Sequence, residues 1–303
     1  MISKYKYHIV LHFTILIWGF TGILGKILTI SGLSSNEIVF WRMLIAWSTL
    51  LIFLISTQVN LKISKTNLFK FFGNGGLIAL HWYFFFEAIA LSNVSLALVF
   101  MSTTAFFTSF AEWVIYKKTL DFKELFTGLL VVVGITIIVN DLDYKAHPQY
   151  LKAVIFALIS AFLAAFFSVI NSVLVKENKS AVISFYELFF GFWIISILFL
   201  INKSIVISNL SLTIEQFCWL LILGIICTSF AFILGVYVMK FITAYTVNLS
   251  VNLEPIYAII FALLIFKNSE LMNINFYIGS LIVVGSILIN ALFKKQRKSH
   301  EVD

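Results

Sequence analysis

Charged residues are scarce in this chain. Asp, Glu, Lys and Arg make up 12% of its 303 residues, whereas a typical soluble domain has about 25%. Hydrophobic residues account for 61%, and the mean hydropathy is +1.03. A chain with so little charge cannot cover a soluble surface with polar groups, so the composition predicts an all-α integral membrane protein in a lipid bilayer.

Cysteine and proline are rarer still, with two residues of each. Cys218 and Cys227 share one apolar run and lack metal-ligand spacing, which favours a packing role. His81 is followed by Trp82 and not by the Glu of a metalloprotease motif, and the sequence has no glycine-rich phosphate loop or Gly-x-Ser-x-Gly elbow. We therefore predict that the protein is not an enzyme and uses neither a metal nor a cofactor.

Long apolar runs dominate what remains. Each is close to the roughly 20 residues that a helix needs to cross a bilayer, so we predict ten transmembrane helices. The first run is long enough to span and lacks a cleavage site, so we interpret it as the first helix and not as a removed signal. The ten runs are residues 8–29, 36–57, 70–91, 95–116, 122–140, 150–175, 181–201, 215–239, 243–266 and 273–293.

The basic residues predict an orientation in the membrane. If the N-terminus lies inside, most of the 21 Lys and Arg residues fall in cytoplasmic segments. The outside then keeps Lys145, Lys152, Lys203 and Lys267. We predict two cytoplasmic termini, a basic cytoplasmic tail over 294–303, and a location in the bacterial inner membrane. The net charge of +7 is explained by attraction to anionic inner-leaflet lipid, so no nucleic-acid partner is predicted.

The chain also repeats itself. A shift of 151 residues places Gly128–Gly134, GLLVVVG, on Gly279–Gly285, GSLIVVG, with five of seven positions identical. The repeat predicts a first five-helix half over 1–140, an external linker over 141–149 and a second half over 150–293. Because an odd number of helices makes the second half enter from the opposite side, the halves form an inverted repeat. Such repeats are typical of secondary transporters that work by alternating access.

The ninth run, Thr243–Phe266, carries the clearest candidate site. Asn248, Asn252, Glu254 and Pro255 lie at its middle, where a charge is costly and a proline frees a backbone carbonyl. Glu254 could bind the ammonium group of an amino-acid-like substrate, bind a cation, or carry a proton as the coupling ion. The alternative is a structural carboxyl that caps the backbone near Pro255.

Three further residues are substrate-binding candidates. Trp18 lies on a helical face that is otherwise small and polar, and a shift of 146 carries Gly25 of that face onto Asn171. Trp18 and Tyr83 could hold a cation or a ring by π contact. The alternative for both aromatic residues is a core or interfacial position.

Four intramembrane charges suggest gates. Arg42 and Glu87 both fall in the outer third of the bilayer, and the repeat shifts place Glu187 and Lys240 in the inner third with signs exchanged. We hypothesise an outer latch Arg42–Glu87 and an inner latch Glu187–Lys240, each closed when the other opens. The alternative is that both cations extend to the interfaces while each Glu accepts local hydrogen bonds.

Several short motifs carry a family resemblance. They are Trp18-Gly19 in the first helix, Phe40-Trp41-Arg42 at the start of the second, Leu253-Glu254-Pro255 in the ninth, and Ser269-Glu270 after it. Together with the five-plus-five plan, they resemble the EamA-type transporters of the drug/metabolite transporter superfamily, over essentially the whole chain.

This resemblance implies a ten-helix inner-membrane carrier that moves small metabolites, often amino acids or related compounds, commonly outward. The family often has a proline in the fourth helix that corresponds to Pro255. Here the related position is Thr103, and the hydroxyls of Thr103 and Thr104 are candidates for substrate binding in its place.

The predicted function is a secondary transporter, acting as an exporter of amino acids or amino-acid-like compounds. A phosphate-bearing substrate would favour Lys or Arg at the midplane. Neither occurs in the middle of the ninth or tenth run, which favours a zwitterionic, cationic or neutral solute. The alternatives are a multidrug or nucleoside carrier, and a scaffold or sensor that keeps a transporter fold without transport.

Overall fold

The computed structural model describes residues 2–117, 122–142, 145, 147–201, 211–251 and 253–300. Within these ranges the chain is helical and contains no strand. A π-helical segment, Ile222–Phe230, joins the ninth and tenth helices, and a 3-10 turn, Lys267–Glu270, follows the twelfth. The helices are α1 Ile2–Ile30, α2 Ser35–Ser56, α3 Lys65–Leu91, α4 Val94–Met101, α5 Thr104–Tyr116, α6 Phe122–Asn140, α7 Tyr150–Leu174, α8 Ser180–Ile201, α9 Ile214–Leu221, α10 Ala231–Val238, α11 Ala244–Val251, α12 Glu254–Phe266 and α13 Ile274–His300.

Helices of membrane-spanning length confirm the predicted all-α membrane fold. In the described part of the chain, seven helical stretches are long and apolar enough to cross a bilayer, and two shorter apolar helices lie at Phe126–Asn140 and Ile274–Ser286. The 27-residue helix α3 is not one of the seven. The predicted number of ten spans therefore exceeds the number that length and composition identify.

Polar residues set the starts of several helices. Ser34 and Thr213 each form a reciprocal capping box, with Glu37 and Gln216 respectively. Asn93 caps α4 by accepting a hydrogen bond from the N–H of Leu96 at 2.8 Å. Each cap satisfies N–H groups that have no partner inside their helix.

Two of the membrane-spanning stretches are interrupted near their centres. Val94–Tyr116 divides into α4 and α5, and Ala244–Phe266 divides into α11 and α12. The second interruption has the expected cause, because Pro255 lacks an N–H and is accommodated in the first turn of α12. Asn252, at the same break, lies outside the described residues.

The first interruption has a different cause, because the fourth run contains no proline. The hydroxyls of Ser102, Thr103 and Thr104 each donate to the carbonyl three residues earlier, at 2.6, 2.7 and 2.6 Å. Such side-chain bonds compete with the backbone N–H groups for those carbonyls and loosen the helix. Three consecutive hydroxyl residues thus interrupt this span at the position related to Pro255.

Helix α3 runs through the interior and packs against α7 and α8. Gly75 and Gly191 allow α3 and α8 to touch backbone to backbone, since a Cβ on Gly191 would lie 2.6 Å from the carbonyl oxygen of Gly75. Asn74, beside this crossing, is 1% exposed. Asn74 is therefore held inside the protein and away from lipid.

Helices α6 and α13 pack against each other through the repeated glycine motif. A Cβ on Gly134 would lie 2.8 Å from the carbonyl oxygen of Gly279, and a Cβ on Gly279 would lie 2.6 Å from Cγ1 of Ile138. Further along, Asn275 Nδ2 donates to Asp141 Oδ1 at 2.9 Å. Because the partner numbers fall on one helix as they rise on the other, α6 and α13 are antiparallel.

Candidate functional site

The interrupted helices α4–α5 and α11–α12 border a central cavity of about 110 Å³. A single water needs roughly 10–15 Å³, so the cavity holds several waters or a small solute. Its walls come from both predicted halves of the chain, and they are mostly aromatic and aliphatic. The lining residues are Trp18, Thr21, Arg42, His81, Trp82, Phe85, Leu98, Met101, Thr104, Ala164, Phe167, Ser168, Asn171, Phe232, Gly235, Val236, Met239, Val247, Asn248, Val251 and Glu254.

Arg42 is the basic residue of this lining. Its side chain is 2% exposed, and its Nε donates to Thr228 Oγ1 at 2.7 Å. The guanidinium carbon lies 3.8 Å from the centre of the Trp82 ring, which is a close cation–π contact. Its Nη1 is buried and has no hydrogen-bond partner among the described residues. The guanidinium is therefore held in one orientation, and the N–H groups of its Nη1 are free to donate hydrogen bonds.

The π-helical segment positions the partner of Arg42. The hydroxyls of Thr228 and Ser229 donate to carbonyls five residues earlier, Leu223 and Gly224, at 2.6 and 2.9 Å. Gly224 also lies against α2, since a Cβ there would be 2.6 Å from Cγ2 of Ile45. Local π geometry often accompanies functional sites, and here it brings the Thr228 hydroxyl to the buried guanidinium.

Glu254 begins α12 and contributes its side chain to the cavity lining. The positive end of the helix dipole favours a carboxylate at this position. Glu254 and Arg42 attract each other electrostatically, but the ion pair found among the described residues is Lys26–Glu270, not this one. The two opposite charges therefore face one cavity without touching.

Asn248 joins three helices at another wall of the cavity. Its Nδ2 donates to Thr108 Oγ1 at 2.8 Å, and its Oδ1 accepts from Ser168 Oγ at 3.1 Å. Asn248 is 6% exposed. These bonds tie α11 to α5 and α7 and fix the amide beside the cavity.

Asn171 connects the cavity to a buried carboxyl. Its Nδ2 donates to Glu187 Oε2 at 3.2 Å, and Asn74 Nδ2 donates to Glu187 Oε1 at 2.7 Å and to Asn171 Oδ1 at 3.1 Å. Glu187 is fully buried. Two amides thus replace the cation that a buried carboxylate would otherwise need.

Neither predicted latch is formed in this structure. Glu187 is bonded to two asparagines, while Lys240 is exposed at the end of α10. Arg42 lies against Trp82 and Thr228 inside the bundle, and Glu87 is half-buried and makes no ion pair with it. Rotation of α2 toward the cavity, and not its depth along the membrane, decides where the guanidinium lies.

The substrate-binding candidates divide into two groups. Trp18, Thr104, Asn171, Asn248 and Glu254 all line the cavity. The indole of Trp18 fits beside α10 because residue 235 is glycine, where a Cβ would lie 2.6 Å from Trp18 Cη2.

The other candidates lie outside this lining. Tyr83 packs against the rings of Phe84 and Phe199. The Thr103 hydroxyl is bonded to the Phe100 carbonyl, and Pro255 is buried behind the helix break. Pro255 therefore lies at the helix break and outside the cavity lining.

His81 was not predicted as a site residue, because the residues around it form no metal-binding motif. His81 is 8% exposed and lines the cavity. Its Nδ1 lies 3.0 Å from the Ser160 carbonyl oxygen and 2.8 Å from Ser160 Oγ, which itself donates to the His81 carbonyl. Because a carbonyl can only accept, this geometry assigns the proton to Nδ1 and leaves Nε2 as the other polar atom of the ring.

A mostly apolar cavity that carries a few polar and charged groups, between two sets of interrupted apolar helices, is typical of membrane transporters of small molecules. The chain belongs to the EamA-like transporter family, whose model matches residues 6–140 and 151–292. The predicted family, the assignment as a transporter and the expectation of a non-enzyme are thereby confirmed.

Two other proteins resemble this chain. An uncharacterized transporter of Clostridium kluyveri is 24% identical over 212 residues, which cover 69% of this chain and 67% of that protein. A solved crystal structure superposes with a TM-score of 0.68 over 95% of this chain and 98% of the other, at 13% identity. At that identity the likeness shows the fold alone.

Proposed function

We propose that this transporter moves amino acids or amino-acid-like solutes outward across the bacterial inner membrane by alternating access. The observation that carries the proposal is Glu254, a carboxyl at a helix break in a cavity walled by Trp18 and Trp82. A carboxylate beside aromatic faces recognises a primary ammonium group by charge and by cation–π contact.

Alternating access requires two halves that can exchange conformations, and several observations support that plan. The family model matches in two stretches, 6–140 and 151–292. Spans in both stretches are interrupted beside the cavity, and α6 and α13 pack as an antiparallel pair. We propose that α3, α6 and α13 complete ten spans, with inverted halves at 1–140 and 150–293 and both termini in the cytoplasm.

A proton is the coupling ion that the site favours. Glu254 can bind either a proton or an ammonium group, but not both at once, because protonation removes the negative charge that attracts the ammonium group. Such competition would link solute release to proton uptake. Export then follows if protons enter as the solute leaves, in keeping with the direction common in the family.

Transport assays in proteoliposomes test this proposal. Uptake and efflux of a labelled amino-acid panel would be compared for the native chain and Glu254→Gln, with and without a pH gradient. We expect the native chain to move at least one panel member, with acceleration by the gradient. Glu254→Gln should lose transport about tenfold or more and lose the response to the gradient.

Glu177→Gln is the control, because this exposed glutamate has no predicted role in the site and does not line the cavity. It should transport like the native chain. Equal transport by native chain and Glu254→Gln would refute the role of Glu254. Failure to move any amino acid, with movement of a nucleoside or a drug-like aromatic compound, would favour the multidrug or nucleoside alternative, and an aromatic-walled cavity would suit such a solute.

A further inference from the structure

We infer that Arg42 and Thr21 form a carboxylate-binding subsite in the central cavity, so that a carried solute must present a carboxylate. The inference deepens the proposed function and rests on the same cavity. Arg42 Nη1 and Thr21 Oγ1 are both buried and have no nitrogen or oxygen partner among the described residues. Both side chains line the cavity.

Burial makes these unused groups informative. Arg42 is 2% and Thr21 is 5% exposed, so bulk solvent does not supply the missing partners as it would at a surface. The polar neighbour of Thr21 is the thiol of Cys227, which is a weak hydrogen-bonding group. A buried donor without an acceptor is unfavourable, and an arriving acceptor relieves that cost.

The guanidinium is also prepared for one orientation of ligand. Its Nε is committed to Thr228 at 2.7 Å, and its face is committed to the Trp82 ring at 3.8 Å. Its Nη1 remains without a partner. A guanidinium edge and a hydroxyl that line the same cavity are a good donor set for a carboxylate, and little side-chain entropy is lost on binding because Arg42 is already held.

Charge decides between a carboxylate and a more highly charged anion. Among the described lining residues Arg42 is the only Lys or Arg, and Glu254 faces the same cavity. A phosphate monoester would bring about two negative charges to one cation and one carboxyl. A zwitterion, with its carboxylate on Arg42 and Thr21 and its ammonium on Glu254, matches both charges.

Binding to the purified full-length chain in detergent tests the subsite. The probes are L-phenylalanine against L-phenylalaninamide, and 3-phenylpropanoate against 3-phenylpropanamide, read by tryptophan fluorescence and by the shift in melting temperature. Trp82 lies under Arg42 and Trp18 lines the cavity, so ligand binding should alter their emission. We expect each acid to bind about tenfold or more tightly than its amide.

Two variants locate the effect. Arg42→Gln removes the charge and should reduce the preference for acid over amide to less than about twofold, while Thr21→Val should reduce it by roughly twofold to tenfold. Arg42→Lys keeps the charge but loses the planar edge, and it provides a folded comparison should Arg42→Gln not fold. Thr14→Val is the matched control on the same helix, because its hydroxyl is bonded to Val10 and it does not line the cavity.

The outcomes separate this inference from the proposed function. Acids and amides that bind equally, no binding by either pair, or an acid preference that survives both Arg42 substitutions would overturn the subsite. A lower melting temperature in Arg42→Gln with an unchanged acid preference would assign Arg42 a structural role only. Arg42-dependent binding of 3-phenylpropanoate, with no amino acid bound or transported, would keep the subsite and reject the amino-acid substrate.

Discussion

At the scale of single residues, the cluster of Glu187, Asn74 and Asn171 shows how this protein keeps a carboxyl away from both water and lipid. Glu187 is fully buried and accepts from both amides, at 2.7 and 3.2 Å. Asn74 Oδ1 is buried and has no partner. Asn74 Oδ1 is therefore a free acceptor, and an N–H group at the position of the Glu187 carboxylate could donate to it.

This geometry predicts different costs for two substitutions of Glu187. Glu187→Leu removes the bonds that both amides donate to the carboxyl and should lower the free energy of unfolding by about 1–3 kcal/mol. Glu187→Gln should cost less than about 1 kcal/mol, because its amide can still accept from Asn74 and can donate to the free Asn74 Oδ1. Thermal melting in detergent measures both. A Leu variant that melts above the native protein would mean that burying the carboxylate costs more than its bonds return.

Residue-scale geometry also changes the interpretation of Arg42. A charge early in the second helix suggested an outer latch with Glu87, since both fall at the same depth. The structure places the guanidinium on the face of Trp82, with its Nη1 free. Depth can be counted along a sequence, whereas the rotation of α2 about its own axis depends on what it packs against.

At the scale of helices, the crossing of α3 and α8 depends on two glycines. A Cβ on Gly75 would contact the carbonyl oxygen of Glu187 and would lie 2.9 Å from the nitrogen of Gly191. Both neighbours are backbone atoms, so no side-chain rotation can make room. The close approach also sets the distance between Asn74 and Glu187, which lie at the same crossing.

Gly75→Ala should therefore separate α3 from α8 and lower the free energy of unfolding by about 1–3 kcal/mol. Gly73→Ala is the matched control two residues away on α3, where an added Cβ meets nothing within 4 Å. The control should be neutral or slightly stabilising, because alanine favours a helix more than glycine does. Equal melting temperatures for the two variants would show that the crossing tolerates a methyl group.

At the scale of the whole molecule, an ion pair links the predicted halves. Lys26 of α1 lies 2.7 Å from Glu270, whose carboxylate also accepts from the N–H groups of Val94 and Ser95 at the start of α4. Glu270 is fully buried. The shift of 146 residues carries Lys26 onto Ser172, whose hydroxyl lies 2.6 Å from the Tyr116 hydroxyl. The two positions related by this shift thus make different contacts, since Lys26 joins a charged pair and Ser172 a neutral one.

This ion pair predicts that Lys26→Met loosens the contact between α1 and the turn Lys267–Glu270. A single cysteine at Met101, which lines the cavity, would be labelled with a membrane-impermeant thiol reagent in a chain whose Cys218 and Cys227 are replaced by serine. Lys26→Met should speed labelling from outside about fivefold or more. Lys267→Met is the control, because Lys267 is exposed in the same region. Equal rates in the two variants would contradict a closing role for the pair.

Much of the architecture could be anticipated without coordinates. A helical membrane protein of the EamA-like family was predictable, because lipid forces each apolar run to satisfy its own backbone as a helix. Glu254 in the cavity was predictable for a related reason: a carboxyl at the centre of an apolar run needs a polar surrounding, and the middle of the bundle supplies one. Side-chain contacts were harder to predict. Neither predicted latch is formed, and the Thr103 hydroxyl is bonded to the Phe100 carbonyl. The glycine repeat indicated two related halves but not the packing of α6 against α13.

The sequence by itself determined the helical membrane class, the family, and the runs that carry intramembrane polar residues, since hydrophobicity and chain order are local quantities. Tertiary structure alone decided that Arg42, Glu254 and His81 line one cavity, and that Glu187 is held by asparagines and not by Lys240. These contacts depend on how each helix is rotated and where it is interrupted. Packing against several neighbours at once sets those two properties, and no single stretch of sequence contains them.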